Sequence, residues 1–387
     1  MNNFRKLLVA QFLTAFADNA ILFTAITWVF LNTLHTQAQT WYVPALQASF
    51  LIAFVVLAPW VGAYADTHAK QKVMIYANIV KIIGAGLMIL SVEPLLAYAV
   101  VGIGAAMYGP AKYGVLPELV DEQALVKANG WIEGATIMAI LAGTIVGAKI
   151  ANQSLSFALW FVVGLYVLSM LIAMRIGPLE VIQAKKNNHI QVFSRMCKSL
   201  IDNRRARFAL VGAALFWASA AVLRVALIAW APAVLMMSDT DKIAELTAFI
   251  MLGIILGAAL AAKLFHLEDL RRARFAAYAM GVFVIIFSQV DTVFATRIIL
   301  FLIGVAGGMF IVPINAVLQD IGHKTVGAGG TVAVQNFFAN LAMLIASAIY
   351  AVVVAIGVAP VTTIAVLGIG IIVAALFIAM QLRRNHQ

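Results

Sequence analysis

Residues 177–206 read GPLEVIQAKKNNHIQVFSRMCKSLIDNRRA, and this polar, basic segment is the longest interruption in an otherwise apolar chain. Six apolar stretches precede it and six follow it, each about the 20 residues that a helix needs to cross a bilayer. Backbone groups in hydrocarbon must pair within the structure, and no period-2 alternation indicates barrel strands. The chain is therefore predicted to be an all-α integral membrane protein with twelve transmembrane helices.

The basic segment separates the predicted helices into two groups of six. This predicts an N-terminal six-helix bundle at 1–176, a linker at 177–206 and a C-terminal six-helix bundle at 207–387. The predicted spans are 5–33, 43–65, 72–91, 95–116, 127–150, 155–176, 207–236, 243–265, 272–290, 294–319, 327–355 and 359–382.

The overall composition excludes several classes of protein. Of the 387 residues, 64% are hydrophobic and 11% are charged, whereas a soluble domain has about 25% charged residues. This excludes a soluble enzyme, a nucleic-acid-binding domain and a secreted disulfide scaffold, and the single cysteine, Cys197, cannot form an intrachain disulfide. The six histidines fall in predicted loops or tails without metal-ligand spacing. We therefore expect no catalytic residue, metal site or cofactor.

The basic residues are concentrated on one side of the predicted helices. Of the 26 lysines and arginines, 20 fall in termini and loops of one face and three in loops of the other. Loops rich in Lys and Arg stay in the cytoplasm, so both termini are predicted to be cytoplasmic. The same bias explains the net charge of +10 without a nucleic-acid partner.

The two halves repeat each other at an offset of 202 residues. Arg5 and Leu8 correspond to Arg207 and Leu210 at this offset, and the acidic residue Glu118 corresponds to Asp320. Two six-span halves in parallel repeat resemble the major-facilitator-type transporters. That resemblance implies a 6+6 bundle with the substrate site between the halves.

The loop after span 2 resembles the major-facilitator signature between spans 2 and 3. Its candidate conformational residues are Gly62, Asp66, Lys70 and Lys72, while Thr67 and Ala69 replace the family's usual basic residue and glycine. Glycine permits close helix approach, a carboxylate can accept from a helix N-terminus, and the two lysines are expected to lie among anionic headgroups.

Five ionisable residues fall within the predicted spans: Asp18, Lys81, Lys112, Glu133 and Arg224. Each costs about 2.5–3.5 kcal/mol or more at a helix centre, so each needs a partner or a watery cavity. Lys112 and Glu133 lie at similar depth and are predicted to form an ion pair. Lys81 can snorkel along span 3. Asp18 and Arg224, on the first helix of each half, are predicted to line a central cavity and bind substrate groups of opposite charge.

Several stretches form a recognisable set: QFLTAFADNA at 11–20, YGPAKYG at 108–114, LVKANG at 125–130, LFW at 215–217 with LR at 223–224, VGAG at 326–329 and AVQN at 333–336. Together they resemble the bacterial lysophospholipid transporters, and the resemblance runs from span 1 to span 11 with few gaps.

This resemblance implies a carrier that moves lysophospholipids, notably 2-acyl-glycerophosphoethanolamine, across the bacterial inner membrane into the cytoplasm. An acyltransferase–acyl-carrier synthetase re-acylates them there. Some relatives carry that enzyme fused to the transporter, whereas this chain, which ends at Gln387, is expected to work with a separate one. Asp18 suits the ethanolamine ammonium, and Arg224 and Lys112 suit the phosphate. Further candidate substrate contacts are Asn19, Glu133, Gln335 and Asn336.

Two alternatives follow from the residues alone, which indicate only a secondary transporter of an amphiphilic or charged solute. A proton-coupled drug or amphiphile exporter of the same fold would titrate Asp18 or Glu133, but Arg224 and Lys112 would repel cationic drugs. A membrane acyltransferase is disfavoured because such chemistry commonly uses a histidine beside a carboxylate, and no histidine lies in the predicted cavity.

Overall fold

A computed structural model describes residues 3–32, 36–120, 125–177, 189–264, 270–326 and 328–383. Over these ranges the chain forms thirteen α-helices and no strand. The helices are α1 Asn3–Asn32, α2 Thr36–Thr67, α3 Lys70–Ile89, α4 Pro94–Leu119, α5 Leu125–Gln153, α6 Leu155–Met174, α7 His189–Asp202, α8 Arg204–Leu235, α9 Thr240–Leu264, α10 Leu270–Phe287, α11 Val293–Thr325, α12 Ala328–Ala355 and α13 Pro360–Arg383.

Twelve of these helices coincide with the twelve predicted spans. Within the described residues, eleven are long and apolar enough to cross a membrane. The remaining one, α10, has a shorter apolar stretch at Ala273–Phe287.

Helix α7 lies within the segment that the sequence predicted only as a polar linker. Its apolar residues follow 3–4 spacing, with Phe193, Cys197 and Leu200 on one side, and Leu200 is fully buried. Arg195 and Lys198 are exposed on the opposite side. This spacing is typical of a surface amphipathic helix and was the sequence signal for it.

The chain divides into two compact units. The first comprises Met1–Leu34 and Leu46–Phe193, and the second comprises His35–Ala45 and Ser194–Gln387. The domain boundaries inferred from the sequence remain a prediction.

The helices of the two units pack in the same pattern. In the first unit α1 packs against α4, α5 and α6, and α3 packs against α4 and α6. In the second unit α8 packs against α11, α12 and α13, and α10 packs against α11 and α13. Shifting the first set by seven helices gives the second, so the units are structural repeats.

Two glycines at repeat-equivalent positions permit close helix contacts in both units. A β-carbon at Gly102 of α4 would lie 2.5 Å from the carbonyl oxygen of Phe50 in α2. A β-carbon at Gly304 of α11 would lie 2.1 Å from the carbonyl oxygen of Ile250 in α9. Small residues let membrane helices approach at backbone distance, and both halves use one here.

Candidate functional site

Asp18 lies at the middle of α1 and is bound by two other helices of the first unit. Its Oδ2 accepts a hydrogen bond from Lys81 Nζ of α3 at 2.8 Å. Its Oδ1 accepts one from the Tyr166 hydroxyl of α6 at 2.9 Å. Both carboxylate oxygens therefore have a donor supplied by the protein.

Lys81 is fully buried, so the prediction that it snorkels along span 3 is wrong. Its ammonium also donates to Thr14 Oγ1 at 2.9 Å. It lies 5.0 Å from the ring centroid of Tyr108 and 5.6 Å from that of Tyr166. A buried charge needs a counter-charge and hydrogen bonds, and aromatic faces add cation–π attraction. Lys81 has all of these in the bundle interior, which is why it does not extend to the headgroup region.

A chain of polar side chains continues from Lys81 through the core of the unit. The Thr14 hydroxyl donates to Asn78 Oδ1 at 3.0 Å, and Asn78 Nδ2 donates to Ser169 Oγ at 3.1 Å. The Ser169 hydroxyl in turn donates to the Ala10 carbonyl oxygen at 2.8 Å. Thr14, Asn78 and Ser169 are all buried, so the chain joins α1, α3 and α6 by satisfied interior hydrogen bonds.

Within this network Asp18 is the member that is open to its surroundings. Its side chain is 19% exposed, against 1% for Lys81. The neighbouring Asn19 is half-buried and donates to the Ala15 carbonyl oxygen of its own helix at 2.8 Å. Asp18 is therefore the accessible member of the ion pair, and Lys81 is the buried one.

The second unit has apolar residues where the first has this network. At the offset of 202 residues, Thr14, Asp18, Asn78 and Ser169 correspond to apolar positions. These four positions are Phe216, Ala220, Met280 and Ile371, and all four line a small apolar cavity of about 20 Å³. The two units therefore pack in the same pattern, but these core positions are polar in the first unit and apolar in the second.

The predicted residues of the second unit lie on α8 and α12. Arg224 is half-buried on α8, and its repeat-equivalent position in the first unit is Leu22. Gln335 Nε2 donates to Asn315 Oδ1 at 2.7 Å. Asn336 is exposed, and its carbonyl oxygen accepts from Asn340 Nδ2 at 2.7 Å. Gln335 and Asn336 are adjacent in the chain but have different environments.

The predicted pairing of Lys112 with Glu133 remains a prediction. Lys112 is half-buried on α4, and Glu133 belongs to α5. The side chains of Glu133 and Asp66, like the surroundings of Gly62, lie outside the part of the chain that the structure describes.

The prediction that Lys70 lies among lipid headgroups is wrong. It is 3% exposed and forms an ion pair with Glu118 at the end of α4. Lys72, two residues further on, is exposed. Of the two signature lysines, one therefore ties the start of α3 to α4, and the other faces outward.

Sequence reasoning missed Thr14, Asn78, Tyr166 and Ser169. A signal for two of them was present, because Thr14 is four residues before Asp18 and Asn78 is three before Lys81. Residues at these spacings share one helix face. Tyr166 and Ser169 had no comparable signal, since α6 carries no charged residue.

Comparison with known proteins agrees with this architecture. The family model of the Major Facilitator Superfamily matches residues 7–347. The nucleoside transporter NupG has a similar structure, with a TM-score of 0.75 at 14% identity over 100% of both chains. The POT family transporter PepTSo gives a TM-score of 0.74 at 11% identity, covering 98% of this chain and 97% of the other. The all-α fold with a major-facilitator-type 6+6 bundle is thus confirmed.

Two bacterial relatives are similar over almost their whole length. Lysophospholipid transporter LplT of Photorhabdus laumondii is 40% identical, covering 98% of this chain and 96% of the relative. Lysophospholipid transporter LplT of Shigella flexneri is 41% identical, covering 99% and 96%. These relatives and the matching family are transporters rather than enzymes. The chain therefore belongs to the Major Facilitator Superfamily and, within it, to the family of the LplT transporters.

Proposed function

We propose that this chain moves lysophospholipids, including 2-acyl-glycerophosphoethanolamine, across the bacterial inner membrane into the cytoplasm, where they are re-acylated. The observation that carries this proposal is the near full-length identity of about 40% to lysophospholipid transporters. The proposed partner is a separate acyltransferase–acyl-carrier synthetase. Both termini are proposed to be cytoplasmic.

The polar residues are proposed to bind the headgroup and the phosphate. The partly exposed Asp18 contacts the ethanolamine ammonium, because an ionised acceptor forms strong charge-assisted hydrogen bonds. Arg224 and Lys112 contact the phosphate oxygens. The remaining proposed contacts are Asn19, Glu133, Gln335 and Asn336.

The signature after α2 is proposed to control the conformational change. Gly62 permits close approach of a neighbouring helix, and Asp66 accepts from the N-terminus of a helix. Lys72 faces the lipid headgroups. Lys70 differs, because its ion pair with Glu118 supports a role in holding α3 to α4.

A proton-coupled exporter of cationic drugs is the alternative function. Such a carrier would use a carboxylate that offers net negative charge to its substrate. The contact between Asp18 and Lys81 at 2.8 Å gives a pair with no net charge, which favours a zwitterionic or anionic substrate over a cationic drug.

Uptake into spheroplasts distinguishes the two functions. We expect cells that lack their own lysophospholipid transporter to take up radiolabelled lysophosphatidylethanolamine when they express this chain, and not with an empty vector. Ethidium efflux, driven by the protonmotive force, should equal that of the vector control. Ethidium efflux without lysophospholipid uptake, at matched membrane expression, would overturn the proposal in favour of the exporter.

Cysteine labelling tests the proposed topology. Replacing Cys197, the single cysteine, by serine gives a background without thiols. We expect Ser238→Cys, in the exposed connection between α8 and α9, to react with an impermeant maleimide in intact spheroplasts. Asn385→Cys should react only after the membrane is permeabilised. The reverse order would contradict cytoplasmic termini and the charge bias from which they were inferred.

A further inference from the structure

We propose that Lys81, which the substrate cannot reach, sets the charge that a headgroup meets at Asp18 and thereby sets which lysophospholipid classes are accepted. Lys81 is thus a positioning and specificity-determining residue that acts through another side chain. This inference rests on the proposed function and names a determinant of its substrate range.

The geometry separates the two members of the pair by access. The side chain of Lys81 is 1% exposed, and its ammonium is occupied by Asp18 and Thr14 at 2.8 and 2.9 Å. The side chain of Asp18 is 19% exposed. A ligand can therefore touch Asp18, while Lys81 contributes only its charge.

That charge decides how Asp18 acts on different headgroups. Paired with Lys81, the carboxylate is one end of a dipole, so it can accept from an ammonium without strongly repelling an anionic phosphoglycerol headgroup. Without Lys81, a full negative charge would remain in a low-dielectric interior, where charge–charge energies exceed those in water several-fold. It would attract phosphoethanolamine, which carries an ammonium, and repel phosphoglycerol, which does not.

Comparison with the second unit indicates that the fold does not require the ion pair. The positions equivalent to Asp18 and Lys81 at the offset of 202 residues are Ala220 and Phe283. Helices α8 and α10 nevertheless each pack against α11 and α13, as α1 and α3 each pack against α4 and α6. The bundle core can thus form with apolar residues at these positions, so the charges in the first unit serve something other than packing.

Competitive uptake by charge variants tests the inference. Spheroplasts receive an equimolar mixture of lysophosphatidylethanolamine and lysophosphatidylglycerol, and mass spectrometry gives the ratio taken up. Lys81→Met should raise the ethanolamine-to-glycerol ratio by about tenfold, and Asp18→Asn should lower it. The double variant should return the ratio to within about threefold of wild type. Lys198→Met removes an exposed lysine of α7, outside the proposed contacts and the signature, and should leave the ratio unchanged.

Two results would overturn the inference. If Lys81→Met and Asp18→Asn reduce both lipids in the same proportion, the pair has only a structural role. If Lys198→Met shifts the ratio as much as Lys81→Met does, the shift reflects the overall charge of the protein. Should Lys81→Met fail to reach the membrane, Lys81→Gln removes the charge but keeps a donor for Thr14 and Asp18, and the same ratio decides. Failure of the proposed function differs, because the wild-type chain would then take up neither lipid.

Discussion

Replacing Arg224 by lysine is expected to lower lysophospholipid uptake by about 10- to 100-fold while leaving the protein folded. A guanidinium can bind two phosphate oxygens at once, whereas an ammonium is a compact point charge. A hydrogen bond to a charged group contributes about 1.5–3 kcal/mol, and every 1.4 kcal/mol is a factor of about ten. Because lysine keeps the positive charge, the variant removes only the bidentate contact with the two phosphate oxygens. Initial uptake rates at equal membrane expression measure the effect.

Arg297, which like Arg224 belongs to the second unit, provides the matched control for this variant. Arg297 is exposed near the start of α11, where its guanidinium lies 5.6 Å from the ring centroid of Phe249. Arg297→Lys should leave uptake within about twofold of wild type, as most surface substitutions do. Equal rates for wild type and Arg224→Lys would exclude phosphate binding by the guanidinium fork.

Replacing Asp18 by leucine is expected to destabilise the first unit by about 3 kcal/mol or more, because it leaves the buried ammonium of Lys81 without its counter-charge. Lys81→Met in the same chain should recover most of the loss, since an apolar pair resembles the core of the second unit. Thermal melting followed by fluorescence-detected size exclusion measures both. Glu93→Leu, which removes an exposed carboxylate before α4, serves as the control. If the double variant melts no higher than Asp18→Leu, the loss does not come from an unpaired Lys81.

The helices were predictable because their signal is local. Apolar length alone predicted α1, α8 and α13. The bias in Lys and Arg predicted which loops and termini share one side of the membrane. Helix α7 was missed because its apolar residues are spaced along one side and never form a continuous run. A search for 3–4 spacing, rather than for mean hydropathy, would have found it.

The ion pairs were less predictable, because they depend on which helices become neighbours. Depth within the membrane associated Lys112 with Glu133, but depth does not report that α1 and α3 both pack on α6. Because α1 and α3 both pack on α6, the long side chain of Lys81 on α3 reaches Asp18 on α1. Lys70 was misplaced for the same reason, since its partner Glu118 is 48 residues away at the end of α4. Asp18 itself was found from sequence because a charge inside a span is unusual wherever its partner lies.

Transbilayer movement by the purified protein tests the central claim most directly. Radiolabelled lysophosphatidylethanolamine is added to the outside of proteoliposomes, and albumin then extracts what remains in the outer leaflet. We predict that a fraction of the lipid becomes resistant to extraction with wild-type protein, and that this fraction is small with Arg224→Lys and absent without protein. Equal extraction from wild-type, Arg224→Lys and protein-free vesicles would contradict lysophospholipid transport by this chain.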